Sequence, residues 1–178
     1  MPTARFHDDG PVNRTLTITV TFNCVHRVST DGGYGGTATY ALTASSPPAG
    51  NIVDADGTIN VNNMPQFDPN QFNESVDVSF VLVSPATVHT DSPTGPVEGT
   101  IGCVWAHVNG APITITTEGG SPAPEFTVMA MTNPNVVHVI DNDDDTNSYK
   151  YCLAVELPSL NNYYIALDPG IKNGPPPH

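Results

Sequence analysis

Leu16-Thr17-Ile18-Thr19-Val20-Thr21-Phe22-Asn23-Cys24 places an apolar side chain at every even position and a polar one at every odd position. Successive side chains of an extended strand point to opposite faces, so a period of two means one dry face and one wet face. Threonine suits the wet side because its branched Cβ packs well on a pleated surface. His26 and Val28 continue the even series up to the turn cluster Asp31-Gly32-Gly33. A return strand follows over 37–44, with Ala38, Tyr40 and Leu42 on one face.

Outward from this hairpin the same pattern recurs. A polar, proline-bearing stretch over 45–73 reads as a long loop with one short strand at 58–61. Val76, Val78, Phe80 and Leu82 share a strand face, and Pro85 ends that strand. Further strands are expected over 100–108, with Ile101, Cys103 and Trp105 level, over 113–116, and around Phe126, Val128 and Ala130. Strands over 136–140 and 149–157 face each other as a hairpin across the acidic turn 141–148, and 163–167 is the last strand. No ten-residue stretch combines helical apolar spacing with freedom from Gly and Pro. About eight to ten short strands separated by turn chemistry make an all-β protein, an antiparallel β-sandwich of immunoglobulin-like or Greek-key architecture. The immunoglobulin Cys…Trp…Cys order is absent, so that label describes architecture alone. The expected organisation is an N-terminal arm over 1–14, a single β-sandwich domain over 15–169 and a flexible Pro-rich tail over 170–178.

Composition sets limits on function. The chain has 178 residues, with 5 Lys and Arg against 18 Asp and Glu, a net charge of −13. Such a surface has no basic patch to neutralise phosphates, which excludes nucleic acid, and it is repelled by anionic membranes. No apolar run approaches the roughly 20 residues of a membrane span. No apolar signal segment follows Met1, so the expected compartment is the cytoplasm, or the extracellular space if a leader has been removed. Cys24, Cys103 and Cys152 are three widely spaced cysteines inside apolar runs, which reads as buried thiols rather than a disulfide framework or zinc site.

The sharpest candidate site is Asp141-Asn142-Asp143-Asp144-Asp145-Thr146-Asn147. Asp141, Asp143 and Asp145 at alternate positions could converge oxygen ligands on Ca²⁺, which would relieve the repulsion among them. The EF-hand pattern fails, because Thr146 stands where its glycine belongs and Cys152 where its bidentate glutamate belongs. A solvated hairpin turn is the competing reading. Asp54-Ala55-Asp56-Gly57-Thr58 is better read as a tight Asp-Gly turn. Tyr149, Tyr151, Tyr163 and Tyr164 cluster near the C-terminus, and Tyr149, Tyr151 and Trp105 are the rings that could stack on a sugar. Tyr149 and Tyr151 also share a face with Leu153, Val155 and Leu157, which favours core or rim. The histidines at 7, 26, 89, 107 and 138 lack metal-ligand spacing. Ser121 in Glu118-Gly119-Gly120-Ser121-Pro122 lacks the nucleophile-elbow pattern, and Glu118 with Glu125 makes no glycosidase pair on sequence grounds.

Val137-His138-Val139-Ile140-Asp141-Asn142-Asp143, then Tyr149-Lys150-Tyr151-Cys152-Leu153-Ala154-Val155, then Leu167-Asp168-Pro169-Gly170-Ile171-Lys172-Asn173 resembles the tail of small bacterial DP-EP family proteins ending in Asp-Pro-x-Ile-x-Asn. The resemblance covers 136–174. It implies a compact bacterial β-sandwich and transfers no activity and no catalytic residue.

The expected function is a non-enzymatic binding or self-associating structural module, with a protein, a carbohydrate or another copy of the chain as partner. Unpaired sheet edges invite strand addition, and few lysines guard them here. The alternatives are a Ca²⁺-assisted carbohydrate binder and, less favoured, a hydrolase whose site assembles from distant loops.

Overall fold

The computed structural model describes residues 11–27, 34–92, 95–142, 148–167 and 170–172. The chain is all-β, a two-layer sandwich whose strands run β1 (Val12–Arg27), β2 (Tyr34–Ser46), β3 (Ile59–Asn60), β4 (Phe72–Leu82), β5 (Ala86–Ser92), β6 (Gly95–Ile101), β7 (Val104–Trp105), β8 (Ile113–Thr117), β9 (Phe126–Val128), β10 (Val136–Asp141), β11 (Ser148–Leu157), β12 (Tyr163–Leu167) and β13 (Gly170–Lys172).

The first layer is built on β1. One edge of β1 holds β2 in antiparallel register, from Thr15 opposite Ser46 to Arg27 opposite Tyr34. Along the other edge β4 runs parallel from Val12 to Val20, and β5 follows, also parallel, at Val25. From β4 the layer continues through β10 to β9, and from β5 to β6. The expected antiparallel sheet is therefore mixed. Parallel neighbours need a crossover, and the long stretch between β2 and β4 supplies it by passing through the other layer, where β3 pairs with β13.

The second layer is built on β11. β7 and β8 lie along one of its edges, and β12 and β13 along the other. The expected hairpin over 136–157 does not form, since β10 belongs to the first layer and β11 to the second. Each strand has one apolar face, and the two turn those faces toward each other across the core instead of pairing edge to edge. The boundaries also move. Val12 to Arg14, expected in an arm, open β1, and Gly170–Lys172, expected in the tail, pair with β11. Residues 1–10 and 173–178 lie outside the described residues.

Leu16, Ile18, Val20 and Phe22 are all buried, as the period of two requires. They meet Val76, Val78, Phe80 and Leu82 of β4, and Tyr149, Tyr151, Leu153, Val155 and Leu157 of β11, in one apolar cluster. Each fully buried aliphatic or aromatic side chain of this kind is worth about 1.5–3 kcal/mol. The crossover stretch is less polar in effect than its sequence suggests. Ile52, Ile59, Val61 and Met64 from it are buried in the same cluster.

Candidate functional site

The three rings assigned to a ligand are core residues, which corrects that expectation. Trp105, Tyr149 and Tyr151 are all buried. The Trp105 indole N–H donates to the backbone oxygens of Phe80 (3.1 Å) and Asn135 (3.0 Å). Tyr151 packs its ring 5.2 Å from Phe80, and its hydroxyl donates to the Gly57 carbonyl at 2.6 Å. Tyr149 meets Phe126 edge to face at 4.9 Å. With both faces covered, none of the three can stack on a sugar. Burial also pushes the Tyr40 and Tyr151 phenols well above the ordinary tyrosine range; charge on Cys152 and Asp56 adds to it for Tyr40, and charge on Tyr40 and Asp56 adds to it for Tyr151. Of the tyrosine cluster, Tyr163 packs on Tyr34, and Tyr164 is the exposed member at 57%.

Asp141 is not on a solvated turn. It closes β10 with its side chain buried at 2% exposure, opposite Val76. Arg14, buried at 3%, lies opposite the same Val76 from the other side, so the two opposite charges share one register row on the inner face. The Arg14 guanidinium also donates to the Glu74 carbonyl (2.6 Å) and covers the Phe67 ring at 4.6 Å, tying the crossover stretch to the sandwich. Asp143 and Asp145 lie outside the described residues. Among the described residues no three His, Cys, Asp or Glu side chains gather as a metal site.

Polar side chains do meet on the outer face of the first layer. Asp77 accepts from Asn13 at 2.8 Å and lies 3.7 Å from Nε2 of His138, while Ser79 is the direct cross-strand neighbour of His138. These four residues come from β1, β4 and β10, whose pairing the sequence does not reveal, so the group was not legible there. Beside it the threonine hydroxyls satisfy one another and the backbone: Thr19 bonds Thr43 at 3.0 Å, and Thr43 and Thr39 reach the carbonyls of Thr17 and Thr21. The arrangement is that of a solvated sheet face with its hydrogen bonds largely closed. Cys103 is buried, its thiol raised by burial, and donates to the Val83 carbonyl at 3.4 Å.

A strand edge with outward-turned backbone groups lies at β9. Met129 N–H donates to the His138 carbonyl and Asn142 N–H to the Glu125 carbonyl, both at 2.9 Å, so residues 125, 127 and 129 exchange bonds with β10. The intervening residues are then turned outward: Val128 presents its N–H and C=O, Phe126 its C=O and Ala130 its N–H. Among the described residues β9 is the last strand on its side of the layer. Val128 and Met129 are exposed at 40% and 38%. They border an open groove of about 400 Å³ whose far wall is the 107–112 loop of the second layer. Ala111 and Pro112 also line a smaller apolar cavity of about 80 Å³ beneath Tyr164 and beside Cys152, so the apolar surface continues around the turn.

Three other edges, at β2, β8 and β6, are in part closed or guarded. The N–H of Tyr40 on β2 bonds the Ala55 carbonyl, and β8 receives Ser121 and Ala123 against Thr117 and Ile115. β6 carries Pro96 and Glu98. Phe126-Thr127-Val128-Met129-Ala130-Met131-Thr132-Asn133 contains neither proline nor charge. The sequence matches no family model and no curated protein.

Proposed function

We propose that this protein is a non-enzymatic binding module that accepts an extended polypeptide strand along β9. The observation that carries this reading is the outward-turned backbone of Val128, flanked by exposed apolar side chains and left without the charge or proline that blunts an edge. Strand addition supplies affinity through main-chain hydrogen bonds and selectivity through pockets for alternate side chains. The groove between β9 and the 107–112 loop is placed to take such a side chain. The carbohydrate reading loses its stacking rings to the core.

The test is an amide-resolved NMR titration with uncharged, Val- and Thr-rich extended peptides. Shifts confined to 126–131 and 107–112 are expected. Peptides that leave those amides unmoved at millimolar concentration would sink the proposal.

A further inference from the structure

The partner that this edge fits best is a second copy of the chain. Resting on the reading of β9 as a strand acceptor, we infer that two copies pair antiparallel along β9 about a two-fold axis through Val128.

Two observations lead there. The first is the pattern of outward groups. With the axis at Val128, the N–H and C=O of each Val128 meet those of the other, and the Ala130 N–H of each copy meets the Phe126 C=O of the second copy. These four outward groups are all matched, and the interface is isologous, as a two-fold requires. The second is charge. The protein carries −13 overall, yet no charge falls between Phe126 and Asn133. A basic peptide would find no carboxylate along this strip to recognise. An identical uncharged strip meets it without like charges facing each other, since Glu125 of each copy falls opposite Met131 of the other. Pairing covers Val128 and Met129, two of the exposed large apolar side chains, and joins the first layers of both copies into one sheet.

The experiment is light scattering across a concentration series, with Val128→Lys and Val128→Pro as variants. The Val128 N–H makes no bond within the chain's own ladder, so proline at this edge position leaves the pairing with β10 in place. Lysine sets two ammonium groups against each other at the axis. The wild type is expected to reach twice the 18.8 kDa chain mass. Both variants should dissociate at concentrations about tenfold higher or more, with unchanged melting. Should either variant melt early, Val128→Cys decides the matter. Directly opposed residues of a hydrogen-bonded pair lie about 5.5 Å apart between Cα atoms, within disulfide reach. Mild oxidation should therefore link Val128→Cys into a dimer and leave Ser159→Cys, exposed on a distant turn, unlinked.

A monomeric wild type throughout the series, or a dimer that survives both variants, overturns the inference. In either event the peptide titration separates the two claims. Shifts at 126–131 would keep β9 as an acceptor of some other strand, and their absence would remove the binding edge as well.

Discussion

Tyr40 and Tyr151 lie in the same core beside the Asp54–Thr58 turn, yet their hydroxyls differ. Tyr151 donates to Gly57, whereas the Tyr40 hydroxyl has no hydrogen-bond partner among the described residues. Removing a hydroxyl that satisfies a buried carbonyl costs about 1–2 kcal/mol, while removing an unsatisfied one costs nothing or stabilises. Chemical denaturation of Tyr151→Phe and Tyr40→Phe should show this contrast, and equal losses would contradict the assignment. Both phenols are held neutral by burial, so their folded values lie above the unfolded value near 10. The stability they lend is complete below that value and falls as pH rises past it. These two phenols should contribute no tyrosinate absorbance until the chain unfolds in alkali. The period of two placed Tyr149 and Tyr151 on the face of Leu153 and Leu157. It could not say how completely the other layer covers that face, because coverage depends on β4 and β1, distant in sequence.

At the scale of elements, the two layers are held in register by polar contacts as well as apolar ones. Asn135, just before β10, donates its side-chain amide to the carbonyls of Leu82 (3.3 Å) and Cys103 (3.0 Å), and its own carbonyl receives Trp105. Asn135→Ala strands two carbonyls at the junction of β4, β7 and β10, and equilibrium unfolding should register a loss of about 2–3 kcal/mol. A loss below half a unit would mean that water replaces the amide. Strands with strong alternation were legible in the sequence: β1, β2, β4, β10 and β11 all contain the segments expected of them. β5 was not, because Ala86 and Val88 are followed by His89, Thr90, Asp91 and Ser92, too polar to show a dry face. β13 is three residues long and exists through its partners on β11 and β3. The error at β10 and β11 has a different origin. Two strands with one apolar face each can pair side by side or pack face to face, and alternation is the same in both arrangements.

For the whole molecule, charge governs association. Thirteen net negative charges oppose contact between copies at neutral pH, and the uncharged β9 edge offers no attraction to offset them beyond hydrogen bonding and apolar burial. Added salt screens the repulsion and leaves the contact itself intact. Sedimentation or light scattering at rising ionic strength should therefore show the proposed dimer tighten, as should titration from neutrality toward the sequence pI of about 4.4. Dissociation by salt would point instead to an interface of opposite charges, at odds with the β9 strip.

The fold class, the strand faces and the acidic surface were determined by the sequence alone, since each follows from local order: alternation, turn residues and the excess of Asp and Glu over Lys and Arg. The position of β9 at an edge was decided by the tertiary structure. Phe126 to Met131 reads as one more short apolar strand, and nothing within it says that it would be the last in its layer. Likewise Asp141 reads as part of an acidic turn, and only pairing with β4 carries it inside, level with Arg14 from far earlier in the chain. Edges and buried charges are properties of neighbours, and neighbours in a sheet are set by crossovers that the local pattern does not encode.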